Sequence, residues 1–134
     1  MASLPADFEL YHRGQPPKIE VWCSACFKQE TGALFRASST ADRSHFANVN
    51  ELINRFACGE QLSKLSFRKE EIGYAFKSGT LRFYGVFSTK RGGVFVLSHA
   101  ILKRHEKLQA ADVRRMRDCL EAFDALVSLS AIPI

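Results

Sequence analysis

The stretch from Gly73 to Leu108, GYAFKSGTLRFYGVFSTKRGGVFVLSHAILKRHEKL, leaves this chain the fewest ways to fold. Ile72 to Lys77, Thr80 to Phe87 and Val94 to Ala100 are runs of aromatic and β-branched residues. Ser78-Gly79 and Lys90-Arg91-Gly92-Gly93 separate them, so each run reads as a strand and each gap as a turn. The short gap suits a primed hairpin turn, and the Gly-Gly pair supplies the positive φ of a looser second hairpin. The expectation is an antiparallel meander. Successive side chains of a strand point to opposite sides, so Leu81, Phe83 and Phe87 share one face of the middle strand. Arg82, Tyr84 and Val86 share the other.

The remainder supplies less pattern. Lys18 to Cys23 sets Ile19, Val21 and Cys23 against Glu20 and Trp22 and reads as a first strand that pairs with the meander. Phe27 and Ala33 to Phe35 suggest a short helix, and Ala37 to Ser44 reads as a polar loop. Asn48 with Glu51 three residues on has the form of a capping box. Val49, Leu52, Ile53 and Phe56 then recur at helical spacing, and Gly59 is placed to end the helix. Val113, Met116, Leu120, Phe123 and Val127 mark a C-terminal helix from about Ala110 to Leu129. Met1 to Pro17 holds three of the four prolines and reads as an N-terminal arm, ahead of one domain over residues 18–134.

Length and composition bound the function. A chain of 134 residues that is 46% hydrophobic, with 11 Phe, buries enough apolar surface for one domain. A formal charge of +5 favours nucleic acid or an acidic protein as partner. No apolar run approaches the roughly 18 residues of a membrane span, and MASLPADFEL lacks the basic-then-apolar order of a secretory signal. A cytoplasmic protein with no membrane partner is expected, its four cysteines present as free thiols.

Ile72-Gly73-Tyr74-Ala75-Phe76, then Leu81-Arg82-Phe83-Tyr84, then Val94 to His99 running into Leu102-Lys103-Arg104-His105-Glu106-Lys107-Leu108, form an ordered series. In order, spacing and charge placement it resembles the C-terminal half of RelE/ParE-superfamily toxins, in particular the HigB-like, phage-type branch. The similarity runs from Arg68 to Leu120. It implies a small α/β (α+β) domain with a twisted antiparallel sheet of about four strands, helices packed on one face and a concave basic surface on the other. It also implies a toxin of a toxin-antitoxin pair that cuts mRNA on the ribosome and is silenced by an antitoxin, often one with a helix-turn-helix part. Non-nucleolytic members of the superfamily, which inhibit gyrase by binding it, are the alternative.

Cleavage of RNA by its own 2′-hydroxyl requires no metal or other cofactor. It requires a base for the hydroxyl proton, cations for the charge on phosphorus and an acid for the leaving oxygen. Carried over from the resemblance, Arg82, Lys103 and Arg104 are the residues that would hold the phosphate, Arg through its planar fork. His105, with an ordinary pKa of roughly 6.5, is the candidate acid or base. Arg68, Lys69, Lys77 and Lys107 would lend electrostatic support, and Tyr84 could stack on a base. His99, between apolar positions, reads as a hydrogen-bonded core residue.

Trp22-Cys23-Ser24-Ala25-Cys26 competes with this reading. A C-x-x-C that follows a strand and opens a helix resembles a thioredoxin-type redox site, in which the helix terminus lowers the pKa of Cys23. A zinc site is disfavoured, because only His45, Cys58 or Cys119 remain to complete four ligands, at irregular spacing.

Overall fold

The computed structural model describes residues 8–14, 18–102 and 109–129. Its elements in chain order are β1 (Phe8–Arg13), β2 (Glu20–Ser24), α1 (Ala25–Ala37), α2 (Thr40–Ala57), β3 (Phe67–Glu70), β4 (Gly73–Ser78), β5 (Leu81–Phe87), β6 (Val94–Leu102) and α3 (Ala110–Ser128). The strands form one six-stranded sheet in the order β1-β2-β6-β5-β4-β3. The class is α+β.

The sheet is larger than the four strands expected. Phe67 to Glu70, not expected as a strand, pairs with β4 as an edge strand, and Phe8 to Arg13, inside the stretch read as an arm, pairs with β2. Both edges are short and charged, which weakens their apolar alternation in the sequence and suits them to solvent. The sheet is also mixed, because β2 runs parallel to β6 while the other neighbours are antiparallel. Short turns force antiparallel neighbours; β2 and β6 are joined through two helices and three strands, so no turn sets their direction.

The hairpin between β4 and β5 is closed by Gly79-Thr80, with Ser78 opposite Leu81 and Gly79 at φ +56°. The turn is thus one residue later than the sequence suggested, with glycine at the first central position, as a primed turn permits. The second long helix starts well before Asn48. Ser39 caps α2 by accepting from the Asp42 N–H at 3.2 Å, and the preceding α1 ends at Ala37. Asn48 lies inside α2, its side-chain amide donating to Ser78 Oγ at 3.2 Å. Gly59 does end the helix, at φ +88°, with its N–H on the Phe56 carbonyl and the Glu60 N–H on the Arg55 carbonyl, a Schellman closure.

Both sheet faces are covered, in place of the single helical face expected. On one, Val21, Cys23, Phe76, Leu81, Phe83, Phe95 and Leu97 pack against Phe27 of α1 and Phe46, Val49, Ile53 and Phe56 of α2. On the other, Trp22, Ala75, Tyr84, Val86, Val94 and Val96 pack against Met116 and Phe123 of α3. The cause is visible in β5, where every residue from Leu81 to Val86 is buried. A central strand that is apolar on both sides must be roofed on both sides.

Candidate functional site

The polar groups of the interior collect on the α3 face. Between Tyr84 and Gly85 the β5–β6 register slips: Tyr84 lies opposite His99 and Gly85 opposite Leu97, so Ser98 faces no β5 residue. This bulge turns His99 onto the side of Ile101 and Tyr84, under α3. There the imidazole stacks on the Tyr84 ring with centroids 4.9 Å apart, and it is 1% exposed. Its Nε2 lies 2.9 Å from Asp112 Oδ1 in the first turn of α3, and its Nδ1 lies 2.9 Å from Ser98 Oγ. His99 was expected to be a hydrogen-bonded core residue, and it is one; its partners could not be named from the sequence.

The carboxylate fixes the imidazole. An ionised Asp112 can only accept, so Nε2 carries the proton and Nδ1 accepts from the Ser98 hydroxyl. Burial holds the His99 pKa below its ordinary value, against the opposing pull of Asp112. Ser98 lines a cavity of about 180 Å³ together with Ser24, Cys26, Arg115, Asp118 and Cys119. Arg115 donates to Glu30 at 2.5 Å, and Cys26 Sγ donates to the other Glu30 oxygen at 3.1 Å.

The cations singled out from the sequence fall in two groups. Lys103, Arg104, His105 and Lys107 lie outside the described residues. Arg82 is 6% exposed on β5, with Nη1 donating to the Gly79 carbonyl at 2.6 Å and the Leu81 carbonyl at 3.1 Å. Lys77 stands across from Arg82, and Arg68 across from Ala75, so register and alternation put Arg68, Lys77 and Arg82 on the α3 side of the sheet. Asp112, in the first turn of α3, is already level with the Tyr84–His99 pair, so the Lys77–Arg82–Ile101 row lies beyond the start of that helix. Lys69 is on the opposite side, its ammonium 5.8 Å from the Tyr74 ring centroid.

Tyr84 was expected to offer a base-stacking surface. It is 0% exposed beneath α3, and its ring is occupied by His99.

The redox pair is arranged in reverse of what dithiol chemistry needs. Cys23, the expected nucleophile, is enclosed at the end of β2, and burial pushes its thiol from about 9 up to about 12. The exposed thiol is Cys26, and its hydrogen bond to Glu30 raises its pKa as well. Neither is an activated thiolate. Cys119 is a partly enclosed thiol, pushed up to about 12 by burial.

Among the described residues no His, Cys, Asp and Glu side chains converge as a set of three or more able to hold a metal ion. No described helix is long and apolar enough to cross a membrane. An open groove of about 780 Å³ runs between α1 and α2, lined by Phe27, Phe35 and Phe46 and edged by Lys28, Arg36 and Arg43. No protein-family model matches this chain, and neither a curated protein nor a solved structure matches it.

Proposed function

We propose that the protein is the toxin of a toxin-antitoxin pair and acts in the cytoplasm as a metal-independent, ribosome-dependent mRNA endonuclease of RelE/HigB-like type. One observation carries the reading furthest: strand register places Arg68, Lys77 and Arg82 on a single sheet face. Lys77 and Arg82 stand in the row next to the end where the chain leaves β6 at Leu102, Arg68 lies further along the sheet, level with Ala75 and Tyr84, and the run Lys103-Arg104-His105-Glu106-Lys107 follows in sequence. Clustered cations of this kind suit a bent phosphodiester, whose transition state carries extra negative charge. Arg82, Lys103 and Arg104 would hold the phosphate, and His105 would exchange the proton. A helix-turn-helix antitoxin would silence the site.

The experiment is induced expression with primer-extension mapping of cellular mRNA, comparing wild type with Arg82→Ala plus Lys103→Ala. Circular dichroism and a thermal melt check that the variant is folded, and Lys77→Ala plus Lys103→Ala spares the buried Arg82. Growth arrest with codon-phased cuts that vanish in both variants supports the reading. Arrest without cuts would replace it with inhibition of a protein target, and absence of arrest would discard both.

A further inference from the structure

The Ser98–His99–Asp112 chain is not used by RNA cleavage, and its geometry has a chemistry of its own. Three features coincide. The proton order is fixed, because Asp112 accepts the hydrogen bond of Nε2–H and leaves Nδ1 to accept from Ser98 at 2.9 Å. The base is sealed, with His99 1% exposed, whereas Ser98 borders the cavity of about 180 Å³. Arg115 lines the cavity as well, with one guanidinium nitrogen on Glu30 and its other N–H groups left to donate, beside Asp118 and the start of α1, where the Ser24 hydroxyl already takes the Phe27 N–H.

We propose that Ser98 is the nucleophile of an acyl-transfer site, with His99 as general base, Asp112 holding the imidazole tautomer, and Arg115 with the first turn of α1 receiving the developing negative charge. The ligand class is a carboxylic ester with a short acyl group, since the cavity has room for about six water-sized groups at ~30 Å³ each. Ser98 Oγ attacks the carbonyl carbon, its proton passes to His99 Nδ1, and the carbonyl electron pair moves onto oxygen. Collapse of this intermediate breaks the bond to the alcohol, which leaves with the proton from Nδ1. Water then attacks the acyl-Ser98 ester by the same route, releasing the acid and restoring the hydroxyl. The sum is ester plus water giving acid plus alcohol.

The same hydrogen bonds also anchor α3, so the test must read more than stability. The full chain is treated with a fluorophosphonate probe and, separately, with p-nitrophenyl acetate, and the modified peptide is mapped by mass spectrometry. The expected result is phosphonylation of Ser98 and nitrophenol release above the buffer rate. Both should disappear in Ser98→Ala, with circular dichroism and a cooperative melt showing that variant to be folded, and the release should fall on the order of 100-fold in folded His99→Gln. A folded wild type without an adduct on Ser98 overturns the proposal. So does nitrophenol release that persists in Ser98→Ala, for instance through acylation of Cys26.

Discussion

The two faces of the sheet are built on different principles. Beneath α1 and α2 the contact is a lattice of rings: Phe83 meets Phe27 at 5.5 Å and Phe46 at 6.2 Å, and Phe56 meets Phe76 at 5.3 Å and Phe95 at 5.2 Å. Such edge-to-face packing is tolerant of small shifts, and its strength comes from area removed from water. Beneath α3 the rings are fewer, and His99 and Asp112 are enclosed with them. A buried polar group stabilises only while its partner is in place, so that face depends on hydrogen-bond geometry. The first face encloses the larger set of apolar side chains, and the second encloses the histidine and its carboxylate.

The largest effect should come from breaking the ring lattice. Phe83→Ala removes a 0%-exposed ring at the centre of the first face, and a loss of about 3–5 kcal/mol is expected in urea unfolding. An unchanged midpoint would show that the lattice relaxes around the gap and would erase the contrast between the faces.

Asp112→Ala attacks the other face. It leaves the His99 Nε2–H enclosed without its carboxylate partner, for an expected loss of about 1–3 kcal/mol, and it should abolish any Ser98 reactivity. The wild type should also weaken in acid. Because the folded His99 pKa is lowered, the unfolded imidazole binds a proton that the folded one refuses, so stability is full above pH ~6.5 and falls as pH drops below it. Asp112, Arg115 and Glu30 are the charges that act on this ring. Thermal melts between pH 7.5 and 5 read the slope, and His99→Gln should flatten it.

The smallest effect at neutral pH belongs to the enclosed thiols, one associated with each face. Burial raises Cys23 and Cys119 from about 9 to about 12. Groups with raised pKa contribute fully below the unfolded value, so their share is untouched at pH 7 and is lost as pH climbs from ~9 towards ~12. Melting temperature measured from pH 8.5 to 10.5 should fall less steeply in Cys23→Ala than in wild type. Equal slopes would mean that the thiol is not enclosed.

The legible parts of the fold were those whose signal is local. The alternation of Leu81 to Phe87 identified a strand and assigned its faces, and the apolar stripe from Val113 to Val127 placed α3 within a residue of each end. Where two local signals competed, the reading slipped. Ser38-Ser39-Thr40 has loop composition, yet it is a helix junction whose Ser39 hydroxyl caps α2, while Asn48 and Glu51 imitate a cap inside a helix that Ala41 and Ala47 already favour. The edge strands were missed because Glu9, Arg13, Arg68 and Lys69 interrupt their apolar pattern, as a solvent-facing edge permits. At the site, His99 was legible as a polar core residue, but its bond to Asp112 and the turn of Ser98 toward the cavity depend on a one-residue bulge.

By itself the sequence determined the meander, the terminal helix, the basic balance and which side chains of β5 share a face, because period and turn chemistry act over a few residues. Only the tertiary structure decided that β2 joins β6 in parallel, that α3 roofs the second face over Tyr84, and that Ser98, His99 and Asp112 meet. Those outcomes follow from burial and register between elements distant in the chain, where the need to cover apolar surface and to pair enclosed polar groups such as His99 selects one arrangement from several that the local pattern allows.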